Sequence, residues 1–196
     1  MVTLNHGQKQ KYIESHLFNE LRWLLGAAQE WSIQEQLSLG IVGYDVIVYA
    51  MDSAFLHARS LFEFFVCGPT KNHYSCKQFV GDVLKSEKYK NWNEPLHANL
   101  MHARDRSKTE QLEGFRGEMK PLNKMPVDFA EEILGLWEKF EENLLGSRSQ
   151  GDRELGRLAQ QKRKAAIDCA KCVIDSEVTR QHAELKHEQL KPVFPF

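Results

Sequence analysis

Apolar residues recur along this chain every three to four positions, and that spacing predicts one helix after another. Over about 9–28, Ile13, Leu17, Leu21, Leu24 and Leu25 supply apolar surface, while Tyr12, His16, Asn19 and Trp23 fall near one another. Gly26-Ala-Ala weakens the end of that segment, and Trp31 and Ile33 follow it. Between about 44 and 66 the pattern sharpens. At roughly 100° per residue, Met51, Phe55, Ala58, Phe62 and Phe65 share one face, and Asp45, Asp52, Arg59 and Glu63 share another. Ordinary surface helices are polar over a broad arc, so this one is expected to be covered by neighbours on most sides. Charges held there need partners, because stranding one costs several kcal/mol.

Gly68-Pro69 stops the second helix. A short helix is expected over 77–84, carrying Phe79, Val80 and Val83. Asn93-Glu-Pro95 reads as a helix start, since proline is tolerated in a first turn, and predicts a third helix over about 95–110. Gly114, Gly117, Pro121 and Pro126 mark 112–127 as a loop. From Asp128 onward, Phe129, Ile133, Leu136, Trp137, Phe140 and Leu144 build the buried face of a fourth helix, expected against helices two and three. Gly146-Ser-Arg-Ser-Gln-Gly151 is the clearest linker. A long charged helix follows over 152–190, then Pro192 and an apolar tail, Val193-Phe-Pro-Phe196. The predicted fold is all-α: a bundle of four or five helices over 1–146, a linker at 147–151, and a C-terminal helical extension over 152–196.

Composition narrows the class. With 196 residues there is room for one well-packed domain, or one domain and an extension. A hydrophobic share of 42% and a charged share of 27% fit a soluble globular protein. The net charge of −1 supplies no global pull toward nucleic acid or an anionic membrane. The apolar run 41–67 is broken by Asp45, Asp52, His57, Arg59 and Glu63, so it fails as a membrane span. No secretory signal pattern opens the chain, and four cysteines make no dense disulfide framework. A cytoplasmic location and no membrane partner are expected.

Candidate chemistry sits on the second and third helices. Arg59 and Glu63 are four apart, with Asp52 two turns before Arg59 on roughly the same side. Together with His97 they form the candidate binding set: either a polar cluster offering Arg59 to an anion, or an ion network that sets helix register. His57 lies nearer Phe64, on a different side. On the third helix Asn99, His102 and Arg106 form one stripe and His97, Met101 and Arg104 another. An inward His102 would act as acid or base, with Asn99 orienting it and Arg106 binding an anion. The alternative is a hydrogen-bonded histidine at the core edge.

Metal chemistry has thinner support. Glu94…His97 and Glu184…His187 have the spacing of di-iron bundles, yet one sits at the expected helix start and the other on a polar late helix. Cys67, His73, Cys76 and the pair Cys169/Cys172 would assemble a zinc site only if the late helix packed near that loop. Free thiols, no metal and no cofactor are expected. Lys162-Arg-Lys164 with Arg153, Arg157 and Lys171 makes a basic patch offset by Asp168, Asp175, Glu177 and Glu184, so a solvated face is expected there. RNA or DNA phosphate is the sharper alternative.

His57-Ala-Arg-Ser-Leu-Phe-Glu-Phe-Phe65, the segment with His97, His102 and Arg106, and the Trp137 helix resemble a group of small uncharacterised helical proteins. These carry an "HARxLxEFF" helix followed by an "NKxxxH" helix and a downstream arginine. The match covers roughly 50–140. The layout is also similar to the HEPN superfamily of helical bundles, whose nuclease members are thought to cleave RNA without metal, using an arginine–histidine motif at a dimer interface. His102 matches that histidine, while His97 stands in the neighbourhood where the arginine belongs. The resemblance implies a helical bundle. The expected function is a scaffold or interaction module that forms a homo-oligomer. The alternatives are a HEPN-like ribonuclease or RNA-binding protein using His102 with Arg106 or Arg59, and a metal-binding bundle enzyme.

Overall fold

The computed structural model describes residues 3–37, 41–71, 73–101, 111–114 and 117–174, and within them it is an all-α bundle. Helix α1 spans 6–37 as His6–Lys11, a π-helical segment Tyr12–Leu17, and Phe18–Leu37. Its start is a capping box: Gln8 N–H donates to Asn5 Oδ1 at 2.9 Å, and Asn5 N–H donates to Gln8 Oε1 at 2.9 Å. Helix α2 is Ile41–Val66, α3 is Lys77–Val80, α4 is Glu87–Met101, α5 is Pro126–Leu145 and α6 is Gln150–Ile174.

Helix α2 is the spine the periodicity predicts. Met51, Phe55, Ala58, Phe62 and Phe65 are all buried. The three phenylalanines near its C-terminal end reach different elements. Phe62 stacks on Tyr89 at 4.9 Å, Phe64 meets Phe79 edge-on, Phe65 meets Trp137 edge-on at 5.9 Å, and both Phe64 and Phe65 meet Phe140. Ring pairs of these geometries add to simple area burial.

Several local expectations are corrected. Helix α1 runs through Gly26-Ala-Ala to Leu37 instead of ending near 28, α3 stops at Val80 where Gly81 turns left-handed (φ 88°), and α6 starts at Gln150 inside the expected linker. Helix α4 begins at Glu87, not near Pro95, and Pro95 lies inside it. The start signal is Ser86, whose Oγ accepts the Tyr89 N–H at 3.0 Å as an N-cap does. Burial of Tyr89 and Trp92 then anchors the first turns, so the hydrogen bond lost at proline is tolerated. The expected loop 112–127 contains an antiparallel pair, Gln111–Glu113 (β1) with Met119–Pro121 (β2), followed by a 3-10 turn at Leu122–Lys124. Gly117, at φ 80°, makes the reversal between the strands.

Helix α5 packs on α2, α1 and α6, and its Phe129 meets Trp92 of α4 at 4.9 Å. Residues 146–149 form a tight turn, and α6 folds back along α5 and α1 of the same chain. Residues 175–196 lie outside the described set. The docked face of α6 is built from Leu155, Gly156, Ala159, Ala166 and Ala170, small side chains that let the helices approach closely. A Cβ added at Gly156 would lie 2.8 Å from Leu145 Cγ and 3.1 Å from the Leu145 backbone nitrogen. Gly156→Ala is therefore expected to destabilise by about 1–2 kcal/mol in urea unfolding, against the gain that alanine brings to an exposed helix. Equal or higher stability would mean that the helices are not held this close.

Candidate functional site

Three of the four predicted binding residues meet. Arg59 Nε donates to Glu63 Oε1 at 2.8 Å, one helical turn along α2. His97 of α4 brings its Nε2 to 3.7 Å from the same oxygen. Beside them the Tyr89 hydroxyl donates to Asn93 Oδ1 at 2.8 Å. Burial first, then the neighbouring Cys67, raises the Tyr89 hydroxyl above the ordinary tyrosine value, so it stays a neutral donor. Asp52 is half-buried two turns earlier and is not among the residues lining the adjoining groove. His102 and Arg106 lie outside the described residues, as do the side chains of Asn99 and Asp45.

The Arg59–Glu63 pair also forms one wall of a groove of about 490 Å³, within the usual range for ligand sites. The opposite wall comes from the π-helical segment of α1, which presents Tyr12 and His16. Ser15 Oγ donates to Lys11 O at 2.6 Å in this segment, a side-chain bond that competes with the regular helical ladder. Short π segments often accompany functional sites because they re-aim side chains. The rings of Tyr12 and His16 stack at 5.2 Å, and Tyr74 meets Tyr12 edge-on at 5.0 Å. Burial, with help from the Glu20 carboxylate and Tyr74, pushes the Tyr12 hydroxyl up to about 12.

Beyond this groove the α1–α2 seam continues. His57, separate from the Arg59 cluster as its helical position predicts, brings Nδ1 to 2.9 Å from Glu20 Oε2 across the seam. Trp23 covers that pair, its ring 5.1 Å from the imidazole. Past Trp23 lies a second, mostly apolar hollow of about 410 Å³, walled by Ala27, Val46, Tyr49 and Ala50 with Arg22 and Glu30 at its edges. Among the described residues six large hydrophobic side chains are exposed, and five of them line these two hollows: Trp23, Val46, Tyr49, Leu56 and Tyr74.

Sequence periodicity had brought Tyr12, His16 and Trp23 to one side of α1. It could not place His73, Tyr74 or Ser60 against them. The first two sit in an irregular loop, and the serine carries no signal of its own.

Among the described residues no three His, Cys, Asp or Glu side chains converge as a metal ion would require. The Cys76 thiol is buried and donates to Phe65 O at 2.9 Å, while Cys169 and Cys172 are exposed on α6. No helix of the described residues is long and apolar enough to cross a membrane. No family model, curated protein or solved structure matches this chain.

Proposed function

We propose that the chain is an interaction module whose α1–α2 seam receives an amphipathic segment of a partner protein. The carrying observation is the gathering of Trp23, Val46, Tyr49, Leu56 and Tyr74 along one seam that ends at Arg59. Soluble proteins scatter exposed apolar side chains, and contiguous ones mark binding surfaces. From Val46 to Glu63 the seam rises about 26 Å at 1.5 Å per residue, the length of a helix of four to five turns. Charge selects the partner: apolar anchors suit the Trp23–Tyr49 end, and an acidic group suits the Arg59 end.

Peptides selected from a random phage library against the full chain test this. The expected consensus carries Leu, Phe or Trp at i, i+3 or i+4, and i+7, with Asp or Glu beyond the last anchor. Tyr49→Glu and Leu56→Glu replace side chains that are 71% and 56% exposed, so each should leave stability within about 0.5 kcal/mol. Each should weaken the selected peptides by roughly a hundredfold, since it removes an apolar contact and puts a charge in its place. Peptides indifferent to both substitutions would remove the seam from consideration. A dimer by light scattering that Leu56→Glu dissociates would replace the foreign partner by a second copy of the chain.

A further inference from the structure

We infer that the groove at Arg59 is a binding pocket for a single carboxylate carried on an aromatic or aliphatic body. This deepens the docking reading and rests on it, because the pocket terminates the seam. The guanidinium donates to Glu63 through Nε, and in that geometry its two terminal amino groups are the fork that can take both oxygens of a planar oxyanion. Ser60 lines the same pocket and adds a hydroxyl. The rings of Tyr12, Phe64 and Tyr74 make a wall on which an apolar body packs, with Leu56 at the rim.

The charge balance selects among anions. Glu63 stands against Arg59 and already offsets one positive charge, and Glu20 is committed to His57. The Arg59–Glu63 pair is close to neutral overall, so a phosphate dianion gains little more from it than a monoanion does. The dianion gives up far more hydration on entry, and no second arginine or lysine among the lining residues offsets that loss. A carboxylate is thus favoured, either an Asp, Glu or C-terminal group of the docked segment or a free aryl acid. The two sources share one chemistry.

Titration of the isotope-labelled full chain with phenylacetate, phenyl phosphate and benzyl alcohol, followed by amide and arginine Nε–H resonances, separates the cases. Phenylacetate is expected to saturate in the millimolar range, shifting Arg59 Nε–H and the Tyr74 amide, and to bind at least about tenfold more tightly than benzyl alcohol. Arg59→Gln should weaken it by about tenfold or more, Arg59→Lys by less, because lysine keeps the charge and loses the fork. Tyr74→Ala, in an exposed loop, removes part of the wall without touching the helices, and should weaken phenylacetate several-fold.

Tighter binding of phenyl phosphate would overturn the carboxylate assignment. So would no saturation, or equal binding to folded Arg59→Gln or Tyr74→Ala. A selected peptide that docks normally on Arg59→Gln sinks the pocket and spares the seam. Phenylacetate bound at Arg59, with no seam-directed peptide recovered, does the reverse.

Discussion

Arg163→Met is expected to destabilise the protein by about 3 kcal/mol at neutral pH, and by much less near pH 4. Arg163 of α6 holds Glu141 of α5 with both arms of its fork, Nε to Oε1 at 3.0 Å and Nη2 to Oε2 at 3.2 Å, and reaches Glu138 through Nη1 at 2.9 Å. Glu141 is 2% exposed. Burial raises its carboxyl above the ordinary glutamate value even with the arginine in place, whose hydrogen bonds and charge pull the other way. For Arg163, burial alone would lower the guanidinium, and the Glu141 bonds and charge more than offset that.

With methionine there, the carboxylate keeps its burial and loses its counter-charge. Its proton affinity in the folded state rises further. The sign follows from linkage: a carboxyl raised on folding makes the folded state bind more protons, so stability falls as pH rises from the unfolded glutamate value through the folded one. Urea unfolding of Arg163→Met should therefore lose stability steeply, relative to wild type, as pH rises above the ordinary glutamate value toward neutrality. Adding Glu141→Gln, which removes the titrating charge, should recover most of the loss. A double variant no better than the single one would show that the arginine matters through packing alone.

How much of this was legible beforehand divides by the kind of signal. Regular burial is written in periodicity, so the Met51–Phe55–Ala58–Phe62–Phe65 face and the Phe129–Ile133–Trp137–Phe140 face could be drawn from the sequence, and both are buried. The Arg59–Glu63 pair was equally readable, being local to one helix. Long-range polar partnerships were not. Nothing in the spacing of α1 and α2 pairs Glu20 with His57, or brings Lys120 of β2 to the buried Asp128 at the start of α5.

Local competition between signals explains the misplaced start of α4. Ser86 and Asn93-Glu-Pro95 are both plausible starts, and only the burial of Tyr89 and Trp92 decides for the serine. The π-helical turn has the faintest signature of all. A serine bonding back to Lys11 is visible only in three dimensions, yet this turn puts Tyr12 and His16 on the groove.

Stability is also expected to fall by at least about 5 kcal/mol between pH 9 and 12, enough to unfold a domain of ordinary stability. The buried Cys76 thiol and the half-buried Tyr12 hydroxyl account for that much on their own. The Cys76 thiol, ordinarily at 9.0, is pushed up to about 11, by burial first and then by Asp82, against the opposing bonds of Leu84 and Ser75. The Tyr12 hydroxyl, ordinarily at 10.0, is pushed up to about 12. Each is neutral in the fold where it would already be ionised in the unfolded chain, so the folded state binds more protons in that window. Stability then falls with rising pH, starting near each ordinary value and complete near each raised one. At about 1.4 kcal/mol per pH unit, two units apiece give nearly 3 kcal/mol from each group. Tyr89, raised in the same direction, adds to the loss.

Tyr12→Phe separates this linkage from general alkaline damage. It keeps the ring that packs on His16, Phe64 and Tyr74 and removes the proton. Urea unfolding from pH 7 to 12 should show the wild-type slope steepening above pH 9, with the variant losing roughly half as much beyond pH 10. Parallel slopes in the two proteins would mean that Tyr12 is not buried against the groove wall. The packing that positions the proposed carboxylate pocket would then be wrong as well, because the same ring makes both.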